Sequence, residues 1–299
     1  MGSDVSINKG VLYVVATPIG NLDDISARAV EVLRGVALIG AEDTRHSRPL
    51  LRHLGVDTPL IALHEHNERQ ILEGLIRRLE EGESLAIISD AGTPLISDPG
   101  FPLVRECHRQ GIRVSPVPGA SALIAALSAA GLPTDRFVFE GFPARNGAAR
   151  QRQFGALAAE PRTLVFYESS HRILASLRDM AVAFGPLRRA ALGRELTKLH
   201  ETLLYAPLDE LARRVEEDVH QQKGEFVVVV AGAPPPGDET LAPDTQRLLR
   251  ILCGELPLKQ AAALAARITG EKKNRLYQAG LGLQPLTAME SEAKAVSPR

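Results

Sequence analysis

The chain has 299 residues, and its 35 Lys and Arg against 36 Asp and Glu leave a formal net charge of −1. At roughly 100–200 residues per domain, this length suggests about two domains, each able to bury a core without staples. The charge balance excludes a globally basic nucleic-acid binder though not a local basic patch, 4% aromatic residues with no Trp leave few stacking platforms, and no apolar run reaches the roughly 18–20 residues of a membrane span.

Residues 11–16 (VLYVVA) read as a buried β-strand and 26–33 as a helix, with Ala29, Val30 and Leu33 at helical spacing. Strands follow at 36–39 and 60–63, then an amphipathic helix over 68–81 whose Ile71, Leu72, Leu75, Ile76 and Leu79 form one stripe. A strand at 85–88, a helix over 101–110 closed by Gly111, a strand at 113–117 and a helix over 120–130 stopped by Gly131 and Pro133 continue the alternation. Apolar strands in repeated β-α-β units imply a mostly parallel sheet covered on both faces, a first α/β domain over 10–119. Strands at 136–142, 163–167, 189–192, 201–205 and 225–231 alternate with helices near 150–158, 173–184 and 208–219. They imply a second α/β domain over 120–233, with more mixed strand directions.

Ala233-Pro234-Pro235-Pro236-Gly237 reads as a linker. Residues 241–283 read as helices alone, broken at Gly270 in the manner of a helix-turn-helix. Arg247, Arg250, Lys259, Arg267, Lys272, Lys273 and Arg275 outnumber Asp244, Glu255 and Glu271 there, a local net charge of +4. Residues 284–299 are expected to be a disordered tail. Cys107 and Cys253 form neither a CxxC pair nor a secreted framework, which suits a reducing, cytoplasmic setting. No signal peptide is expected, and Met1-Gly2-Ser3-Asp4-Val5-Ser6 fits a myristoylation pattern short enough to arise by accident.

The unusual chemistry sits where strands end. Thr17-Pro18-Ile19-Gly20-Asn21 follows the first strand, Ser89-Asp90-Ala91-Gly92-Thr93-Pro94-Leu95-Ile96-Ser97-Asp98-Pro99-Gly100 follows residues 85–88, and Pro118-Gly119-Ala120-Ser121 follows residues 113–117. In a parallel sheet all three loops emerge at the carboxyl edge, where open α/β sheets bind ligands. Glycines admit a close backbone approach, prolines stiffen, and Asp and Ser supply hydrogen bonds. None of these loops is GxGxxG, GxxxxGK[ST] or GxSxG, so a Rossmann dinucleotide site, a P-loop and a hydrolase elbow are all unsupported.

Further polar clusters stand at Glu42-Asp43-Thr44-Arg45, His64-Glu65-His66-Asn67-Glu68, Tyr167-Glu168-Ser169-Ser170-His171-Arg172 and Arg194-Glu195-Leu196-Thr197-Lys198. The histidine cluster is not HExxH and has no Cys near it, while Asp43 and Asp98 could ligate Mg²⁺; the balance of these residues favours no metal. Arg145, Arg150 and Arg152 flank a Gly-Ala-Ala loop without acids, either a solvated face or a phosphate-contacting patch.

Residues 12–22, 41–45, 89–100, 118–122, 166–172 and 194–198, with Leu256 to Asn274 of the tail, resemble the ribosomal RNA small subunit methyltransferase I family of the tetrapyrrole methylase superfamily. The resemblance spans about residues 11–283. One departure is Ser170, where the family has Pro. The resemblance implies a two-domain α/β fold whose cleft binds S-adenosylmethionine, without metal. It implies transfer of a methyl group to the ribose 2′-hydroxyl of a cytidine in 16S rRNA, and a homodimer. Cofactor contacts carry over to Asp90, Gly92, Thr93, Pro94, Ile96, Ser121, Ala122, Phe166, Tyr167 and Glu225. Glu195 and Lys198 are the catalytic candidates, with Asn21, Asp43 and Glu65 as the rival set. Arg145, Arg150, Arg152, Arg172, Arg194, Lys272, Lys273 and Arg275 are the expected RNA contacts. Two other readings stay open: methylation of a tetrapyrrole or other small molecule on the same scaffold, and a non-enzymatic RNA-binding module. The basic tail speaks against the first, and the three glycine-rich strand ends against the second.

Overall fold

The computed structural model describes residues 9–64, 66–234 and 241–281. They fall into two compact units divided between Ala233 and Pro234.

The first unit opens with β1 (Val11–Val15), α1 (Ala27–Gly35), β2 (Leu38–Ala41), α2 (Thr44–His53), β3 (Leu60–Ala62), α3 (Glu68–Glu80), β4 (Leu85–Ile88), α4 (Phe101–Arg109) and β5 (Arg113–Val117). The five strands are parallel in the order β3-β2-β4-β1-β5. The strand period of two divides the side chains between two cores. Val11, Tyr13 and Val15 pack with α1 and α2, whereas Leu12 joins Leu75, Leu79, Leu103 and Cys107 under α3 and α4. The chain leaves β1 toward one edge and β4 toward the other, so the order reverses between these neighbours, where an open sheet forms its ligand crevice.

Next come α5 (Ala122–Ala129), β6 (Phe137–Gly141), α6 (Gly147–Leu157), β7 (Thr163–Ser169), α7 (Ile173–Phe184), β8 (Arg189–Arg194), β9 (Thr202–Pro207), α8 (Leu208–Glu217) and β10 (Glu225–Val230). This sheet runs β6-β7-β10-β8-β9, with only β6 and β7 parallel. Helices α6, α7 and α8 cover one face around Phe154, Phe166, Leu177 and Met180. Helix α5 covers the other through Leu123, Ala126 and Leu127 against Val165, Val227 and Val229. The second unit holds α9 (Pro243–Glu255), α10 (Leu258–Thr269) and α11 (Lys273–Leu281) around Leu249, Ala262, Ala265 and Leu276.

Most expected elements appear within a residue or two. β2 begins two residues later than expected, because Val36 caps α1. Helix α6 begins three residues earlier, at Gly147, because Asn146 caps it by accepting the Ala149 N–H at 3.1 Å. Helices α2 and α9 were not read from the sequence as separate elements. In α2 the interruption is Pro49, which lies inside the helix.

Arg150 corrects an expectation. It was read as an RNA contact, but it is 6% exposed and its guanidinium lies 2.6 Å from the Asp179 carboxylate on α7. This pair pins α6 to α7 from inside. Removing one partner strands a buried charge, so Asp179→Ala is expected to cost about 3 kcal/mol, read as a lower urea midpoint at unchanged slope.

Candidate functional site

The loops after β1, β4 and β5 meet at the carboxyl edge and are stitched together. Thr17 N–H donates to the Gly92 carbonyl at 2.9 Å, and Gly92 N–H returns a bond to the Thr17 carbonyl at 3.1 Å. The Thr93 hydroxyl donates to the Ala120 carbonyl at 3.0 Å. The Glu68 carboxylate at the start of α3 accepts the Gly100 N–H at 3.1 Å, fixing the far end of the long loop. Within that loop Leu95 and Ser97 hold φ of 70° and 71°, left-handed values that cost non-glycine residues energy and cluster at functional sites.

The second sheet closes the space from the other side. The Tyr167 hydroxyl accepts the Leu123 N–H at 3.1 Å, satisfying an orphan amide in the first turn of α5. Phe139 and Phe142 meet the Tyr167 ring edge-on, with centroids 4.9 and 5.6 Å away.

Between these walls lies a cavity of about 580 Å³. Asp90, Gly92, Thr93, Ile96, Ser121, Ala122, Tyr167, Lys198 and Glu225, all expected from sequence, line it. Ile19, Phe142, Leu196 and Val227 give it apolar surface, while Glu42, Asp90, Asp98 and Glu225 give it carboxylates. Ser170 lines it too, so the departure from the family's Pro puts a hydroxyl side chain at its wall. Asp98 is pushed up to about 6, first by burial and then by the nearby charges of Glu42 and Asp90, against a hydrogen bond from Ser89. Such a cluster of carboxylates suits a cationic ligand.

Glu195 to Lys198, after β8, form the remaining wall. Glu195 and Thr197 sit at φ of 50° and 66°. The Asn21 N–H, from the first sheet's loop, donates to Thr197 Oγ1 at 3.2 Å. Lys198 Nζ donates to Glu195 Oε1 at 2.9 Å and to Glu225 Oε2 at 2.8 Å, and Glu225 N–H donates to Glu195 Oε1 at 2.9 Å. Two glycines make room: a Cβ at Gly20 would come within 2.3 Å of Lys198 Cγ, and one at Gly224 within 2.5 Å of Glu195 Cγ. Burial opposes the Lys198 charge, but the Glu225 and Glu195 carboxylates outweigh it and raise its pKa above the ordinary lysine value. Glu195 is likewise opposed by burial, yet Lys198 and the Glu225 amide bring it below the usual range.

Other expectations are redistributed. Phe166 is fully buried among α6 and α7, because the strand period turns it away from Tyr167. Pro94 is buried and is not among the residues lining the cavity. Asn21 and Asp43 serve as caps: Asn21 accepts the Asp23 N–H, and Asp43 accepts the Arg45 N–H and pairs with its guanidinium, which holds the carboxyl well below its usual range. Glu65 lies outside the described residues.

Of the expected RNA contacts, Arg194 is turned inward to the Lys223 and His200 carbonyls, which anchors the 195–198 loop rather than a phosphate. Arg172 is bound to the buried Glu168 at 2.7 Å and to the Pro143 carbonyl at 3.0 Å. Arg275 pairs with Glu271 at 2.7 Å. Arg145, Arg152, Lys272 and Lys273 are exposed. The His64 and His66 rings meet edge to face with centroids 5.9 Å apart, and no group of three or more potential metal ligands occurs among the described residues. Glu42, Asp98 and Leu196 stand in the quoted motifs without a cofactor role, and Gly224, expected beside Glu225 as part of the cofactor approach, lines the cavity; Phe142 carries no signal beyond its strand-end position.

Comparison with known proteins sets this geometry among relatives. The profile described as Tetrapyrrole (Corrin/Porphyrin) Methylases matches residues 11–212, and that of the RsmI C-terminal HTH domain matches residues 239–284. A Pseudomonas aeruginosa protein named ribosomal RNA small subunit methyltransferase I is 59% identical over 279 residues, covering 93% of this chain and 99% of its own length. A protein of the same name from Escherichia coli O157:H7 is 54% identical over 277 residues, covering 93% and 96%. The crystal structure of uroporphyrin-III C-methyltransferase from Thermus thermophilus, complexed with S-adenyl homocysteine, shares the fold at a TM-score of 0.51 and 19% identity, covering 74% of this chain and 96% of that one.

The raised Asp98 value makes a prediction whose sign is fixed. The folded protein holds this proton more tightly than the unfolded chain, so the associated stability is present below the ordinary carboxyl value and lost as pH rises through about 6. Asp98→Asn is therefore expected to raise the Tm at pH 7.5 by about 2–4 °C, after discounting for partial exposure. The gain should fade between pH 6 and 4. A gain that persists at pH 4 would point to some other cause.

Proposed function

Because the chain belongs to the ribosomal RNA small subunit methyltransferase I family, on the tetrapyrrole methylase fold, we propose that it transfers a methyl group from S-adenosylmethionine to the ribose 2′-hydroxyl of a cytidine in 16S rRNA. One observation carries the reading: the cavity sets carboxylates and an apolar aromatic wall around a space whose boundary is a lysine cation held between two glutamates.

The residues present fit S-adenosylmethionine. About 580 Å³ lies within the range of small-molecule sites. Asp90, Asp98 and Glu42 suit a cationic ligand, and Ile19, Ile96, Phe142 and Val227 suit a flat heterocycle. When bound, this cofactor supplies a methyl group already activated on a sulfonium, so the protein's task is alignment and exclusion of water.

Lys198 is a cation, with its ammonium held by Glu195 and Glu225, and is not the base. It would stabilise the partial negative charge that the 2′-oxygen acquires as its proton leaves, the charge that makes this oxygen nucleophilic toward a methyl donor. The hydroxyl proton passes to Glu225, whose side chain is 76% exposed and open to solvent exchange. Glu195 is a positioning residue: its carboxylate is occupied by Lys198 and by the Glu225 amide. Exposed Arg145, Arg152, Lys272 and Lys273 are the remaining candidates for phosphate contact. The reading includes a homodimer acting in the cytoplasm; exposed Leu203 and Tyr205 on the edge strand β9 offer a surface for a second copy.

Product mapping tests the reaction. Small ribosomal subunits lacking the modification, incubated with labelled cofactor, digested and analysed by mass spectrometry, should carry label on a cytidine ribose. Label on a base would overturn the 2′-hydroxyl assignment, and label only on a tetrapyrrole precursor would return the site to small-molecule chemistry. Lys198→Met is expected to lower kcat about 10²–10³-fold with cofactor Kd little changed, the effect of losing one transition-state donor; an unchanged kcat would remove Lys198 from the mechanism.

A further inference from the structure

A second cavity, of about 500 Å³, adjoins the first. The two share Ile19, Asp90, Ala91, Lys198 and Glu225 as lining residues, so Lys198 stands in the wall between them. Pro18, Leu22, Pro49 and Leu50 give the second cavity apolar surface, and Arg45 gives it a cationic side, with His46 beside it. Ser47 also lines it; this residue is 3% exposed, and its hydroxyl has no hydrogen-bond partner among the described residues.

The cationic side belongs to a larger feature. Helix α2 reads Thr44-Arg45-His46-Ser47-Arg48-Pro49-Leu50-Leu51-Arg52-His53, five basic side chains and no acid. All five are exposed. Arg45, Arg48 and Arg52 stand at i, i+3 and i+7 and so share one face over roughly 10 Å of helix. Arg48 and Arg52 line a shallow depression of about 260 Å³ next along α2, together with Asp57. The acid bound to Arg45 is Asp43, the helix's own N-cap, at 2.7 Å. The face stands out against a chain whose net charge is −1 and makes a local positive field beside the cavity.

We infer that the second cavity receives the acceptor nucleotide, its base against the Pro18, Leu22 and Leu50 surface and its ribose toward Lys198, while Arg45, Arg48 and Arg52 hold the flanking phosphates. The apolar floor with a cationic rim suits a nucleotide, and the shared wall puts its ribose beside the donor cavity. The assignment rests on the RNA-methyltransferase reading above and adds the place where the RNA enters. It gives α2 a role that neither the Arg145–Arg152 loop nor the basic tail supplies.

The test compares full-length wild type with Arg48→Ala/Arg52→Ala and with Leu50→Arg, which fills the floor. Arg213→Ala, on the exposed face of α8, is the control. Three quantities are read on unmodified small subunits: KM for the subunit, equilibrium binding of the subunit across a salt series without cofactor, and calorimetric Kd for S-adenosylmethionine. The double variant should raise the subunit KM at least tenfold and flatten the plot of log K against log salt by about 0.7–0.9 per lost phosphate contact. Its cofactor Kd and melting temperature should stay within error of wild type. Arg48→Lys/Arg52→Lys should recover most of the binding. Leu50→Arg should lower kcat without flattening the salt slope. Subunit binding and salt slope indistinguishable from the Arg213→Ala control would overturn the assignment. A wild-type chain that binds cofactor but neither binds nor methylates the subunit would sink the underlying reading as well, and the cofactor calorimetry separates the two failures.

Discussion

The site depends on how Lys198 is held. Its stem crosses Gly20 of the first sheet's leading loop, and its ammonium ends between Glu195 and Glu225 of the second sheet. Each part of that arrangement is sterically or electrostatically expensive alone. Glu195 and Thr197 occupy left-handed backbone, and Gly20 and Gly224 must lack side chains for the loop to lie where it does. Arg194 then anchors the loop's base by two carbonyls from beneath. Strain held by a buried guanidinium and relieved by ion pairs is the signature of a preorganised charge, since a freely moving lysine would spend part of its interaction energy on ordering.

The same principle runs through the opposite wall. The loop after β4 carries Leu95 and Ser97 in left-handed conformations and gathers Asp90 and Asp98 near Glu42. Burial and the nearby like charges raise Asp98, and a cationic ligand would offset both. The position follows from topology: β1 and β4 are neighbours whose connections run to opposite edges, and the crevice between their ends is open to be lined.

Much of this was legible in the sequence. The parallel sheet follows from apolar strands alternating with amphipathic helices, and the three strand-end loops announced the cleft by composition alone. The losses have physical reasons. Phe166 and Tyr167 are adjacent in sequence, and only strand pairing reveals which faces the core. Arg150, Arg172 and Arg194 look like phosphate ligands in a one-dimensional reading, but their partners Asp179, Glu168 and the Lys223 carbonyl lie 29, 4 and 29 residues away. Helix α2 was hidden by Pro49, which breaks the hydrogen-bond ladder without ending the helix. The helix carries a concentrated basic face beside the second cavity.

The proposed donor and acceptor cavities share Lys198 as a lining residue, which implies one direction of transfer. The most direct check is a crystal structure with S-adenosylmethionine bound, read for where its methyl group points. The account predicts a methyl directed past Lys198 and Glu225 toward the α2 side, with Asp90 and Asp98 on the cationic groups. A methyl buried against Phe142 or Ser170, with no open path to the second cavity, would contradict it.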